Sequence, residues 1–151
     1  MSFLLDTNVG SELRKVGDGR ADANVVRWLS GHDAGRFYLS AMTVMEQDLG
    51  IRLVVRRDTR QGARLRAWMD EQILPEFAAR ILPVDTPVAL CCAGLHVPNP
   101  KPERDALIAA TAFVHAMTVV TRNSADFVRT GVPIIDPWAG PPPSVLTHEA
   151  K

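Results

Sequence analysis

Short apolar runs, each separated from the next by a stretch of helical character, restrict this chain more than any other feature. The runs are Phe3–Leu5, Phe37–Ser40, Arg80–Val84, Thr118–Thr121 and Pro133–Ile135. Runs of this length alternating with helices are the pattern of an α/β protein, a mostly parallel sheet covered on both faces. Between the first two runs, Ala23–Ser30 puts Val25, Val26 and Leu29 on one helical face, and Gly31 ends it. The region from Thr43 to about Leu74 reads as two helices broken near Thr59–Gly62, and Thr86–Leu95 as another, with Thr86 as its N-cap. His96–Glu103 carries prolines and reads as a loop. With no internal repeat, the chain divides into one domain over residues 1–138 and an irregular proline-rich tail over 139–151.

Four acids stand beside the ends of these elements. Asp6 follows the first run directly, and Glu46 lies in the first turns of the helix after the second. Asp105 opens the helix-like stretch Ala106–Ala116, and Asp126 comes shortly after the fourth run. A helix leading into a parallel strand runs opposite to it, so its N-terminus sits at the C-terminal rim of the sheet. Ligands bind along that rim in α/β folds. If strand one lies between strands two and four, all four acids converge there. Asp85 and Asp136 end strands three and five, roughly 10 Å from the centre at about 4.8 Å per strand. They are expected to act as turn or cap residues.

Clustered carboxylates repel one another by several kcal/mol, on the order expected at an effective dielectric near 20, unless a cation offsets them. With oxygen donors and no soft ligand nearby, Mg²⁺ is the expected ion, with Mn²⁺ as substitute. Such an ion serves phosphodiester chemistry by activating water and stabilising a leaving oxygen. Each acid also has a plain structural reading. Asp6 suits a turn, Glu46 an exposed helix face, Asp105 a helix dipole, and Asp126 the cap of a short helix Phe127–Thr130. Their joint placement favours the site. Around them, Thr7, Asn8, Thr121 and Asn123 are expected to orient the carboxylates or the waters of the ion. Arg122 is expected to touch a phosphate, against the alternative of a solvated surface arginine. His115, at the end of a helix, is expected to cap it.

Composition adds mainly exclusions. Lys plus Arg and Asp plus Glu both count 17, so bulk charge points to no nucleic-acid or membrane partner. The local exception is Arg52, Arg56, Arg60 and Arg64, with Arg57 and Arg66 beside them. They read either as a grip on a phosphate backbone or as a solvated face balanced by Asp58, Asp70 and Glu71. Cys91 and Cys92 are adjacent and lack metal-ligand spacing, so they read as small core residues. No apolar run approaches the ~20 residues of a membrane span, and the start Met1-Ser2-Phe3 lacks a basic secretory leader. A cytoplasmic protein is expected.

Four segments, in this order, carry a resemblance: Phe3-Leu4-Leu5-Asp6-Thr7-Asn8-Val9, Leu39-Ser40-Ala41-Met42-Thr43-Val44-Met45-Glu46, Asp105 to Ala112, and Val120-Thr121-Arg122-Asn123 to Asp126-Phe127. Together they resemble the PIN domain family, and within it the VapC-type (FitB-like) toxins of type II toxin–antitoxin pairs. The resemblance runs from about residue 2 to Trp138. It implies a three-layer α/β/α fold with a five-stranded parallel sheet in the order 3-2-1-4-5, and Mg²⁺-dependent endoribonuclease activity. By matching position, Asp6 and Asp105 are the implied principal metal ligands, with Glu46 and Asp126 completing the acidic site. It further implies a homodimer and a cognate VapB-type antitoxin that occupies the site, with DNA bound only through that antitoxin. Two positions depart from the pattern. Gly10 replaces a bulky aliphatic residue, which predicts a looser or later first helix. Gln47 replaces an apolar residue, which predicts an altered dimer or antitoxin surface.

Two rivals stand beside the nuclease. An aspartyl-phosphate phosphatase also places an aspartate after strand one, but it needs a second acid two residues on, where this chain has Asn8. A non-catalytic PIN-like module would use the acidic pocket to bind a partner's arginine or a structural cation.

Overall fold

Five strands run parallel in the order β3-β2-β1-β4-β5 in a computed structural model that describes residues 1–140. They are β1 (Phe3–Leu5), β2 (Phe37–Ser40), β3 (Ile81–Leu82), β4 (Thr118–Val120) and β5 (Ile134–Ile135). The order is the expected one, and it puts β1 at the centre. Phe3 lies opposite Phe37 on one side and Thr118 on the other. The third and fifth strands are shorter than the apolar runs suggested, because β3 and β5 are edges with a single neighbour to hold them.

The two-residue period of the strands splits the core between two layers. Phe3, Leu5, Phe37, Leu39 and Val120 pack on one face beneath α1 (Thr7–Gly17), α2 (Ala23–Ser30), α3 (Ala41–Arg57) and α4 (Thr59–Trp68). A π-helical stretch, Met69–Ile73, and the short α5 (Leu74–Glu76) continue α4 on that face. Leu4 and Val119 face the other layer, under α7 (Glu103–Val114) and α8 (Ser124–Val128). Helix α6 (Thr86–Leu95) packs on α7 through Val88, Cys92, Ala106 and Ala110, small side chains that let the two helices approach closely. Cys92 is buried there and both cysteines are free, as a core role requires. Burial pushes the Cys92 thiol up, which disfavours the thiolate. Among the described residues, no helix is long and apolar enough to cross a membrane.

Helix starts are set by side-chain oxygens that accept otherwise unpaired N–H groups. Asp6, Asp22, Ser40, Asp58 and Asp85 do this for α1, α2, α3, α4 and α6. Several expectations shift as a result. The cap of α6 is Asp85, with Thr86 the first helical residue, because the carboxylate reaches the Val88 N–H at 3.2 Å. The long helical region breaks at Asp58, beside the expected Thr59–Gly62, since Asp58 ends α3 and its carboxylate opens α4. Gly62 is no breaker. A Cβ there would stand 2.5 Å from Val55 Cγ2, so the glycine permits the close crossing of α3 and α4. Helix α7 starts at Glu103, two residues before the expected opening, and Asp105 lies in its first turn. His115 caps the C-terminus of α7, and Asp136 caps the 3₁₀ turn Pro137–Ala139, accepting from the Trp138 N–H at 2.9 Å.

The break at Asp58 also divides the arginine row. Asp48 accepts 2.6 Å hydrogen bonds from both Arg52 and Arg66, and these pairs hold its carboxyl below the ordinary aspartate range. The balancing acid on this face is thus Asp48, with Asp70 adding a longer contact to Arg66, while Asp58 serves as a cap. Beyond Gly140, the expected tail lies outside the described residues.

Candidate active site

Asp6 is where the sheet hands over to its first helix. Its N–H continues the central ladder by donating to the Val120 carbonyl at 2.9 Å, and its side chain turns to cap α1. Only 6% of the residue is exposed, so the carboxylate needs donors inside the protein. It has three. The Thr7 N–H reaches Oδ1 at 2.7 Å, while the Thr121 hydroxyl and Asn8 Nδ2 reach Oδ2 at 2.8 and 3.3 Å. Thr121 is itself fully buried, and its oxygen accepts from the Asn123 N–H at 3.0 Å. Asn8 uses its other end to accept the Arg122 N–H at 3.1 Å. Burial pushes the Asp6 carboxyl up, the donors from Thr121 and Thr7 pull it back, and the charges of Glu46 and Asp126 add to the rise. The Asn8 amide donates to Asp6 and Thr121 and accepts from Arg122, a supporting role in place of the general acid that the phosphatase scheme needs.

Thr7 joins this carboxylate to α3. Its hydroxyl donates to Glu46 Oε1 at 2.8 Å, fixing the second acid from the opposite helix. The adjacent residue, Gln47, grips Thr7 from below. Its Nε2 donates to the Thr7 carbonyl at 2.9 Å and to Ser11 Oγ at 3.2 Å. Gly10 provides the space, since a Cβ there would lie 2.9 Å from that nitrogen. The expectation attached to Gly10 therefore does not hold, and Gln47 gains a role inside the domain. Helix α1 begins at once after Asp6, not later, because the Asp6 cap outweighs one glycine, and the Gln47 amide is bonded to α1.

Asp105 and Asp126 approach from the other layer, in the first turns of α7 and α8. Burial first, and then the charges of Asp6, Asp126 and Glu46, push the Asp105 carboxyl up to about 6. One field thus joins all four acids, although Asp126 is the most open of them. They do not close into a cage: among the described residues, no three His, Cys, Asp or Glu side chains are grouped tightly enough to hold a metal ion by themselves. Asn123 contributes its backbone N–H to Thr121, with no side-chain cap on α8. Arg122 is exposed, with its guanidinium over the Trp138 ring at 5.5 Å, a stack that steadies it beside the site.

Three residues here were not singled out as site residues from sequence. Arg104 lies beside Asp105 and brings Nη1 to 3.7 Å from Glu46 Oε2, across a cleft of about 610 Å³ that also borders Asp105. The charged triplet Glu103-Arg104-Asp105 was its only signal. Gln47 stood out only as a departure from the resemblance, and Trp138 gave no signal, since its contact with Arg122 depends on tertiary folding.

The donors facing the rim are all oxygens, and two of the acids sit above their ordinary range through burial and mutual repulsion. A hard divalent cation fits that donor set and would offset the field. Sheet order and site together define a class: a three-layer α/β/α domain with an acidic pocket at the C-terminal rim of its central strands. The PIN domain family profile matches residues 3–133, and the chain belongs to that family. It is similar to Toxin FitB of Neisseria gonorrhoeae, with 39% identity over 141 residues, covering 90% of this chain and 98% of that protein. It is similar also to VapC ribonuclease Y4jK of Sinorhizobium fredii, with 34% identity over 141 residues, covering 90% and 97%. The crystal structure of FitAcB from Neisseria gonorrhoeae superposes with a TM-score of 0.80 at 37% identity, covering 90% of this chain and 98% of that one.

Proposed function

We propose that this protein is the toxin of a type II toxin–antitoxin pair and acts as a divalent-metal-dependent endoribonuclease. The observation that carries the reading is the meeting of Asp6, Glu46, Asp105 and Asp126, from four separate elements, at the C-terminal rim of the central strands. The names toxin and ribonuclease borne by the two relatives support it. Asp6 and Asp105 would hold the metal, with Glu46 and Asp126 completing the site. Bound Mg²⁺ or Mn²⁺ would supply an activated water and a counter-charge for the leaving oxygen.

The chain's own residues do the positioning. Thr121, Asn8 and the Thr7 N–H fix the rotamer of Asp6, so that the carboxylate does not have to be ordered when substrate arrives. The Thr7 hydroxyl does the same for Glu46. Arg122, held over Trp138, is suited to a flanking phosphate. Hydrolysis breaks a phosphorus–oxygen bond of RNA, and water supplies the new oxygen on phosphorus and the proton on the departing oxygen.

A cognate VapB-type antitoxin is the proposed protein partner, with DNA reached only through it. Met45, Leu49 and Leu53 recur every four residues on α3 and are exposed, an apolar face suited to a homodimer or to that antitoxin. The proposed catalytic unit is residues 1–138, in the cytoplasm, with 139–151 as an appended tail. A second reading, a binding module whose acids receive an arginine, is favoured by Arg104, which already brings a guanidinium to Glu46.

Purified, antitoxin-free protein incubated with RNA and Mg²⁺ or Mn²⁺ separates the two, with the cut sites mapped. Cleavage is expected, and it should be abolished by EDTA and by Asp6→Asn or Asp105→Asn while the circular dichroism spectrum is retained. Cleavage that survives EDTA or either substitution would refute the nuclease reading. No cleavage by the unmodified protein would favour the binding module.

A further inference from the structure

We propose that Gln47 is a positioning residue for the acidic site, acting through Thr7, and that Gly10 is the glycine that admits it. Thr7 meets the site at three points. Its N–H holds Asp6, its hydroxyl holds Glu46, and its carbonyl is held by Gln47. Glu46 and Gln47 are consecutive on α3, so one turn of that helix grips both the hydroxyl and the carbonyl of a single residue. The second Gln47 bond, to Ser11 Oγ, extends the grip by one turn of α1, and Ser11 Oγ itself donates to the Thr7 carbonyl at 3.2 Å. An apolar side chain at position 47 would leave the helices free to slide by small amounts. A directed amide does not, because its donor must meet the carbonyl within a narrow range of distance and angle. The spacing between the first carboxylate and the second is thereby set by an amide that contacts neither. The space for that amide exists because position 10 carries no Cβ, whose distance of 2.9 Å from Nε2 would be under ordinary contact.

This inference rests on the metal-dependent reading, and the experiment keeps the two apart. Full-length Gly10→Ala, Gln47→Met and the double variant are compared with the unmodified protein. Mn²⁺ binding is followed by loss of the free-ion paramagnetic resonance signal. Cleavage of a labelled RNA spanning the strongest mapped cut is resolved into kcat and KM, and Tm is measured alongside. Gly10→Ala is the cleaner perturbation, because alanine favours the helix while its methyl displaces the Gln47 amide from Thr7.

The expected result is Mn²⁺ binding weaker by about tenfold in both single variants, within the range for residues that orient metal ligands. The fall in kcat should exceed any change in KM, with Tm of Gly10→Ala close to that of the unmodified protein. The double variant should recover whatever stability Gln47→Met loses and recover none of the Mn²⁺ affinity. Unchanged Mn²⁺ binding in Gly10→Ala and Gln47→Met would overturn the positioning role, as would recovery of affinity in step with Tm in the double variant. Failure of the unmodified protein to bind Mn²⁺ would overturn the metal-dependent reading, and this inference with it.

Discussion

Burial and three neighbouring carboxylates make ionisation of Asp105 costly in this fold. Its carboxyl is pushed up to about 6 from an ordinary 3.8, by burial and then by Asp6, Asp126 and Glu46. A group whose folded value lies above its unfolded value stabilises the fold below the unfolded value, and that contribution is lost as pH rises through the folded one. Metal-free protein should therefore gain stability from this residue on acidification through the window from about 6 toward 3.8. Between about pH 7.5 and about pH 5, linkage gives roughly 1.4 kcal/mol, an upper figure because solvent screens a partly open rim. For 151 residues, an unfolding entropy of about 2.1 cal/mol/K per residue converts this to a Tm rise of about 4 °C. Calorimetry in EDTA-containing buffers, on the unmodified protein and Asp105→Asn, isolates the effect, since the other carboxylates titrate in both. Asp105→Asn should lack this part of the slope and exceed the unmodified protein in Tm at neutral pH. Adding Mg²⁺ at neutral pH should raise the unmodified protein and narrow that gap. Parallel Tm curves for the two proteins across the window would refute the reasoning.

Two further substitutions probe the frame around the site. Thr121→Val keeps the shape but removes a donor from buried Asp6, and should cost about 1.5–3 kcal/mol in urea unfolding at neutral pH. The loss should shrink on acidification, when a protonated Asp6 needs the donor less, so an equal loss at both pH values counts against it. Gly62→Ala would place a Cβ 2.7 Å from Val55 Cα, a backbone atom that cannot swing aside. Overpacking of about 1–3 kcal/mol should outweigh the gain in helix propensity of about 1 kcal/mol, and an unchanged urea midpoint would show that α3 and α4 can part at no cost.

Much of this architecture was legible in the residues. The central strands and the helix Ala23–Ser30 were readable because each apolar run is flanked by its own stop signal, such as Gly31. Helix starts were less so. Asp85 and Thr86 are both good caps, and only the geometry of the turn decides which oxygen meets the Val88 N–H. The break in the long helix was readable in place, but not in which residue makes it. Gly62 carries the stronger propensity signal, yet it is buried against Val55, and the chain turns at Asp58 instead.

Among the acids, type and neighbourhood could be read from spacing, because a strand end and a helix start are local patterns that share a rim once a sheet is parallel. What they would feel could not. A carboxyl near 6 at Asp105 comes from burial and from the charges of residues on three other elements, a sum over distances that exists only after folding. The same holds for contacts that join remote positions. Gln47 to Thr7, Arg104 to Glu46 and Arg122 to Trp138 each link separate elements, and nothing in the local sequence marks the partner. The sequence by itself determined which backbone elements form and which chemical groups stand at their ends, because hydrophobic period and capping act over a few residues. Only the tertiary structure decided how those groups shift one another's charge and who holds whom, because electrostatics and hydrogen bonding act through space.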